Sequence, residues 1–166
     1  MGQMMTAKAN EFHIVTRWRI EALADEVAAI LTDAQSLPDW WGEVYLAVQI
    51  ADPGDANGVG RKVSVRSKGR LPYQINWVAR LVAADLPHGW EVEATGDLQG
   101  RGVWRLTQNG PITEAVYDWR VKAERPLFRL LSPVLGPLFA WNHRWAMARG
   151  EAGLRREVIR RRLRAA

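Results

Sequence analysis

The sequence predicts an α+β domain: a seven-stranded, curved, antiparallel sheet covered by one long C-terminal helix. Three observations predict it. Six consecutive segments between residues 43 and 122 alternate apolar and polar residues and are joined by turn-length connections, the pattern of an antiparallel sheet with one covered and one wet face. One more alternating segment, EFHIVTRWRI, precedes them at 11–20. After residue 125 the period changes to a helical one that runs into an arginine-rich end.

In chain order, residues 1–10 carry no periodicity and are expected to be a disordered N-terminus, with residues 11–166 as a single domain. In the first strand Phe12, Ile14, Thr16 and Trp18 share one side, and His13, Val15, Arg17 and Arg19 the other. Residues 21–33 switch to helical spacing, with Leu23, Val27, Ile30 and Leu31 as one stripe. A second short helix is expected over 34–41, ending at Trp40-Trp41-Gly42. Strand 43–50 groups Val44, Leu46, Val48 and Ile50; the Gly/Asp/Asn-rich 52–60 is a connection. Strand 61–68 sets Val63, Val65 and Ser67 against Lys62, Ser64, Arg66 and Lys68. The remaining strands, 73–82, 90–95, 101–107 and 114–122, turn Tyr73, Ile75, Trp77, Trp90, Val92, Trp104, Leu106, Tyr117, Trp119 and Val121 to the same side. Gly96, Gly100 and Gly102 fit bulges or close backbone approach in a strongly bent sheet. Pro126 suits a helix start, and Pro133 and Pro137 are each expected to break or bend the helix, leaving a main segment from about Gly136 onward.

On a wheel at 100° per residue, Arg144, Glu151 and Arg155 mark the solvent side of that helix. Opposite them fall Leu138, Phe139, Asn142, Ala146 and Gly153, with Arg149 and Gly150 close by. Trp141 and Trp145 lie on one flank, and His143, Met147 and Leu154 on the other. Small residues late on this face let the backbone approach the sheet or leave room above it. Asn142, a polar amide on the covered face, must find hydrogen-bond partners there, in the protein's own loops or on a ligand.

Acidic strand residues, Glu91, Glu93 and Asp118 among them, all sit on the parity opposite to the rings. A carboxylate pair for acid–base chemistry is therefore not expected inside. The polar groups left for the interior are Thr16, Ser67, Tyr73, Tyr117, Asn142, His143 and Arg149. Bulky rings with a few hydroxyl and amide fixings are what an apolar ligand site needs. The residues expected to line it are Trp18, Tyr73, Trp77, Trp90, Trp104, Tyr117, Trp119, Leu138, Asn142, Trp145 and Arg149; Tyr117, His143 and Arg149 are the catalytic candidates if chemistry occurs there.

Other functions are disfavoured. There is no cysteine, so thiol and disulfide chemistry is absent. His13, His88 and His143 lie on separate elements without ligand spacing, so no metal is expected. No cofactor motif is present: GDANGVGRK lacks a P-loop ending and reads as a turn. Residues 155–166 hold six arginines and one glutamate; the rest of the chain carries 17 basic and 17 acidic residues, so the net charge of +5 is one tail. That distribution predicts no specific nucleic-acid partner. It reads as a solvated basic helix end, with weak membrane-surface contact through Arg155–Arg164 as the alternative. The N-terminus lacks an apolar signal region and carries a loose myristoylation pattern at Gly2 and Thr6; a cytoplasmic location is expected. Oligomeric state is not legible.

The chain resembles the SRPBCC superfamily, the START-like and polyketide cyclase/dehydrase group that includes the birch-pollen-allergen fold. The resemblance rests on WRIEALADEVAAILTDAQSLPDWW, on ATGDLQGRGVWRL followed by TEAVYDWRV, and on PLFAWNHRWAMARGEAGLRR. It implies a helix-grip fold with a mostly apolar cavity between sheet and helix. It leaves function open, because the superfamily mixes carriers, lipid-binding domains and cyclases. Three readings follow: a binder of a hydrophobic or aromatic small molecule, lipid- or polyketide-like; a cyclase- or dehydratase-like enzyme using the same cavity; and a protein-interaction module using the tail or an aromatic patch.

Overall fold

A computed structural model of the chain describes residues 11–123 and 126–166; the expectations for the N-terminal ten residues lie outside these. Strand β1 (Glu11–Ile20) leads into helix α1 (Ala24–Thr32), a 3₁₀ turn (Ala34–Ser36) and the one-turn helix α2 (Leu37–Trp40). Six strands follow: β2 (Tyr45–Asp52), β3 (Lys62–Lys68), β4 (Gln74–Asp85), β5 (Gly89–Gly96), β6 (Leu98–Asn109) and β7 (Ile112–Ala123). Helix α3 (Pro126–Ala165) closes the domain. The seven strands form one antiparallel sheet in the order β1-β7-β6-β5-β4-β3-β2, with β1 returning beside the last strand. This is the helix-grip architecture.

Binary pattern sets each strand's inner face. In β3 the buried residues are Val63, Val65 and Ser67, in strict alternation with exposed ones. In β1 burial deepens along the strand from half-buried Phe12 to Trp18 and Ile20. The outer face carries the acids, paired with neighbouring bases across strands: Arg80 with Glu93, Arg101 with Glu91, and Arg17 with Glu114.

Two expectations are corrected. The alternation of β2 is interrupted. Tyr45 stands opposite Ser67, but Ala47 stands opposite Arg66, so Leu46 is an extra residue. This bulge turns Tyr45 inward, out of phase with Leu46, Val48 and Ile50, which keep their half-buried alternation with Ala47 and Gln49. Second, α3 is one continuous helix across Pro133 and Pro137, so neither proline breaks it. A proline removes one main-chain donor, and the hydrogen bonds of the turns on either side of it are enough to carry a long helix past that gap.

The solid core lies where α1, α2 and the C-terminal half of α3 meet the sheet. Trp18, Ile20, Val27, Ile30 and Leu154 are each at most 1% exposed. Trp18 packs edge-on against Trp41 at 5.5 Å, and the Trp41 indole donates to the carbonyl of Ala146 at 2.9 Å. The basic tail is folded onto this core. Glu157, 2% exposed, accepts from Arg160 at 2.6 and 2.8 Å and from Arg161 at 2.8 Å. Arg161 continues to Asp33 and Ser36, and Arg162 forms two 2.7 Å bonds to Glu26.

Candidate functional site

The inner face of β5, β6 and β7 carries a ladder of rings. Trp90, Trp104 and Tyr117 are cross-strand neighbours, and Trp119 follows Tyr117 on the same face. Their centroids step 5.9, 4.5 and 5.5 Å, with interplanar angles of 22–25°. Gly102 makes this possible: a Cβ there would come within 2.8 Å of the Tyr117 ring and 2.9 Å of Trp119. Stacked rings present a broad, nearly flat apolar wall.

Two adjoining chambers lie above the ladder. One, about 380 Å³, is bounded by Thr32, Ala34, the β2–β3 loop at Asn57 and Gly58, Arg61, and the inner residues of β3–β5. The other, about 220 Å³, is roofed by Phe139, Asn142, His143, Ala146 and Met147 of α3, and floored by Phe12, Tyr117, Trp119 and Val121. They share a waist made by Leu31, Leu37, Tyr45, Trp77, Trp104 and Tyr117. Among the described residues, no carboxylate lines either chamber.

Polar groups in the walls are few. Ser67 accepts the Trp77 indole N–H at 3.0 Å. Tyr45 and Tyr117 flank the waist; burial pushes the Tyr45 phenol up to about 12, and burial together with Tyr45 pushes Tyr117 well above its ordinary value. Both hydroxyls are therefore protonated donors across the physiological range. His143 is held neutral: burial, aided by the Arg144 charge, lowers it from 6.5 to about 4. Its Nδ1 is buried without a hydrogen-bond partner among the described residues. Asn142 spends its carbonyl oxygen on the β3–β4 turn, accepting from the main-chain N–H of Arg70 at 2.7 Å and Leu71 at 3.3 Å. Gly69 is what lets the amide approach, since a Cβ there would collide with it.

Of the expected site residues, Tyr73, Trp77, Trp90, Trp104, Tyr117, Trp119 and Asn142 are brought together around this space, as is the catalytic candidate His143. Trp18, Leu138, Trp145 and Arg149 are not. Trp18 belongs to the solid core. Leu138 is exposed, and Arg149 lies over Trp145, 5.5 Å from its ring, and pairs with Glu43 at 3.4 Å on the surface. One cause accounts for the three on the helix. The buried stripe of α3 is Met147, Gly150, Gly153, Leu154, Glu157 and Val158, rotated by roughly 80° from the wheel's expected face toward the His143 flank. The charges that set the wheel are misleading: Glu151 accepts from the Arg19 N–H at 3.3 Å, and Arg155 donates to the Arg19 carbonyl at 2.9 Å. They grip the edge strand β1 rather than mark the middle of the wet side. Sequence reasoning missed Tyr45, hidden by the bulge, and Arg61, whose inward parity two residues before Val63 was a usable signal.

The sequence profile of the polyketide cyclase / dehydrase and lipid transport family matches residues 11–158, and the chain belongs to that family. Solved structures agree on the fold. A START superfamily protein from Mycobacterium smegmatis superposes with a TM-score of 0.73 at 14% identity, over 89% of this chain and 97% of that one. A protein from Thermus thermophilus gives 0.71 at 16%, over 89% and 97%. The Zhui aromatase/cyclase from a Streptomyces species gives 0.68 at 15%, over 91% and 95%. No curated protein matches the chain. Among the described residues, no helix is long and apolar enough to cross a membrane.

Proposed function

We propose that this protein takes up a hydrophobic, ring-bearing small molecule, lipid- or polyketide-like, into the two-chambered cavity and holds it without transforming it. The observation that carries this reading is the Trp90–Trp104–Tyr117–Trp119 ladder facing space that no carboxylate lines. Apolar contact supplies the affinity, and the Tyr45 and Tyr117 hydroxyls supply orientation. A cysteine-free chain suits a cytoplasmic setting for such a carrier. Native mass spectrometry of freshly purified protein should find an apolar molecule co-purifying, and Nile red should bind in its place. A Gly102→Leu variant, which thrusts a side chain into the ladder, should lose the dye. Dye binding unaltered in a folded Gly102→Leu protein would place the ligand elsewhere.

A second reading is a cyclase- or dehydratase-like enzyme in the same cavity. It is favoured by the His143 imidazole, held neutral in the wall of the smaller chamber and so a polar group set against a bound chain. His143→Gln should then abolish turnover of a poly-β-ketone chain while leaving dye uptake intact. Uptake without any turnover in the unaltered protein favours the carrier.

A further inference from the structure

We infer that the ligand is an acid: a carboxylate on a ring-bearing body, received by Arg61 at the mouth of the larger chamber. This rests on the cavity reading above and adds a charge to it.

The inner file of β3, extended one residue beyond the strand's start, reads Arg61, Val63, Val65, Ser67. Arg61 is thus an inward-parity cation among apolar and hydroxyl neighbours, half-buried, and it lines the larger chamber with Ala56, Asn57 and Gly58. Other strand arginines, such as Arg17, Arg80, Arg101 and Arg120, face outward and pair with carboxylates. Arg61 has no carboxylate partner among the described residues, although Asp52 at the end of β2 and Asp55 in the following loop precede it. Each spends its Oδ1 on the turn. Asp52 accepts the Gly54 N–H at 2.9 Å, and Asp55 accepts those of Asn57 and Val59 at 2.8 and 3.0 Å.

The loop also fixes the guanidinium in place. Gly60 donates to Leu81 at 2.7 Å and Leu81 to the Arg61 carbonyl at 2.9 Å, stitching the loop base to β4. Nε of Arg61 donates to the Pro53 carbonyl at 3.3 Å. The guanidinium lies along Gly58, whose φ of +80° favours glycine and where an added Cβ would sit 3.3 Å from Nη2. Among the described residues one nitrogen is used and the two terminal ones are not, and the fork is held at the chamber rim. A pre-positioned guanidinium with two terminal nitrogens to spare is suited to bidentate recognition of a carboxylate. Lys68, the other cation at the cavity edge, belongs to the outward parity of β3 and is exposed.

The test uses the full chain and two probes of one shape, 2-naphthoate and neutral 2-naphthamide, with affinities read by quenching of tryptophan fluorescence at neutral pH. The unaltered protein should prefer the carboxylate by about tenfold, a typical margin for one charge-assisted contact. Arg61→Gln should erase that preference while binding naphthamide as before, Arg61→Lys should restore part of it, and Lys68→Gln should leave both affinities unchanged. Added salt should weaken naphthoate binding alone; this readout needs no variant. If naphthamide binds as well as naphthoate, or if Arg61→Gln weakens both probes alike, the acid is wrong and the apolar cavity stands. Failure of both probes to bind the unaltered protein would remove the cavity reading and this inference together.

Discussion

One helix builds both a solid end and a hollow end of the same molecule. Over its C-terminal half α3 lies directly on tryptophans. A Cβ on Gly150 would reach within 2.9 Å of Trp18 and collide with Trp41, and one on Gly153 would collide with the Trp40 carbonyl. Some ten residues earlier the same helix stands above Tyr117 and Trp119 with Phe139, Asn142 and His143 lining open space. Both ends are rich in rings, so hydrophobicity does not separate them. Two devices do. Glycines let the backbone descend at one end, and the α1–α2 corner wedges Trp40 and Trp41 beneath it. At the other end Asn142 fixes the helix to the β3–β4 turn at a stand-off. The hollow is made by where the helix is pulled down and where it is propped.

The sharpest way to break that contrast is to delete one ring at each end. Trp18→Ala removes a side chain 1% exposed, inside the tight cluster, and should cost about 4 kcal/mol in urea unfolding. Phe139→Ala removes a half-buried ring that touches Phe12 at 5.3 Å but borders a void, and should cost about 1 kcal/mol. Equal losses would mean that the two ends are packed alike.

The same contrast explains what could be read from sequence. The sheet was legible because period-2 alternation has only two phases, and a strand such as Lys62–Lys68 declares its phase with every residue. The acids outside and the rings inside followed at once. A bulge is the exception: the extra Leu46 changes the phase without leaving a mark in composition, so Tyr45 was lost. A helix has a continuous phase, and here it was set from charges. Glu151 and Arg155 look like solvent markers but bind the main chain of an edge strand. The resulting rotation put Leu138, Trp145 and Arg149 in the site and left His143 on a flank. Gly150 and Gly153, which do face the core, were the better guide.

A second test uses acid. His143 titrates at about 4 in the fold against an ordinary 6.5, because burial penalises its charged form. Its contribution is therefore intact above pH 6.5 and is lost as pH falls from there toward 4, as the unfolded chain takes up a proton the folded one refuses. The loss should approach about 3 kcal/mol at the low end of that window. Compared with the unaltered protein, His143→Gln should show a flatter stability curve across this range in urea titrations at stepped pH. Superimposable curves would mean that His143 is solvated, and that the hollow end is wet at that point.

The smallest effect belongs to the tail that clamps the solid end. Glu26 receives two bonds from Arg162 and one from the Leu23 N–H, and the Arg162 hydrogen bonds lead in drawing its carboxyl down from 4.5 to about 2. Its contribution is present above pH 4.5 and fades as pH falls toward 2, a window below that of His143. The pair is half open to solvent, with side chains 31% and 50% exposed, so screening reduces it to about 1 kcal/mol. Glu26→Gln should lower stability by that amount at neutral pH, by less in high salt, and by almost nothing near pH 2. It should leave Nile red affinity unchanged, because the clamp acts on the end of α3 that is already seated. A loss of dye binding in Glu26→Gln would show that seating the tail also sets the height of the helix over the cavity, and that the two ends work as one device.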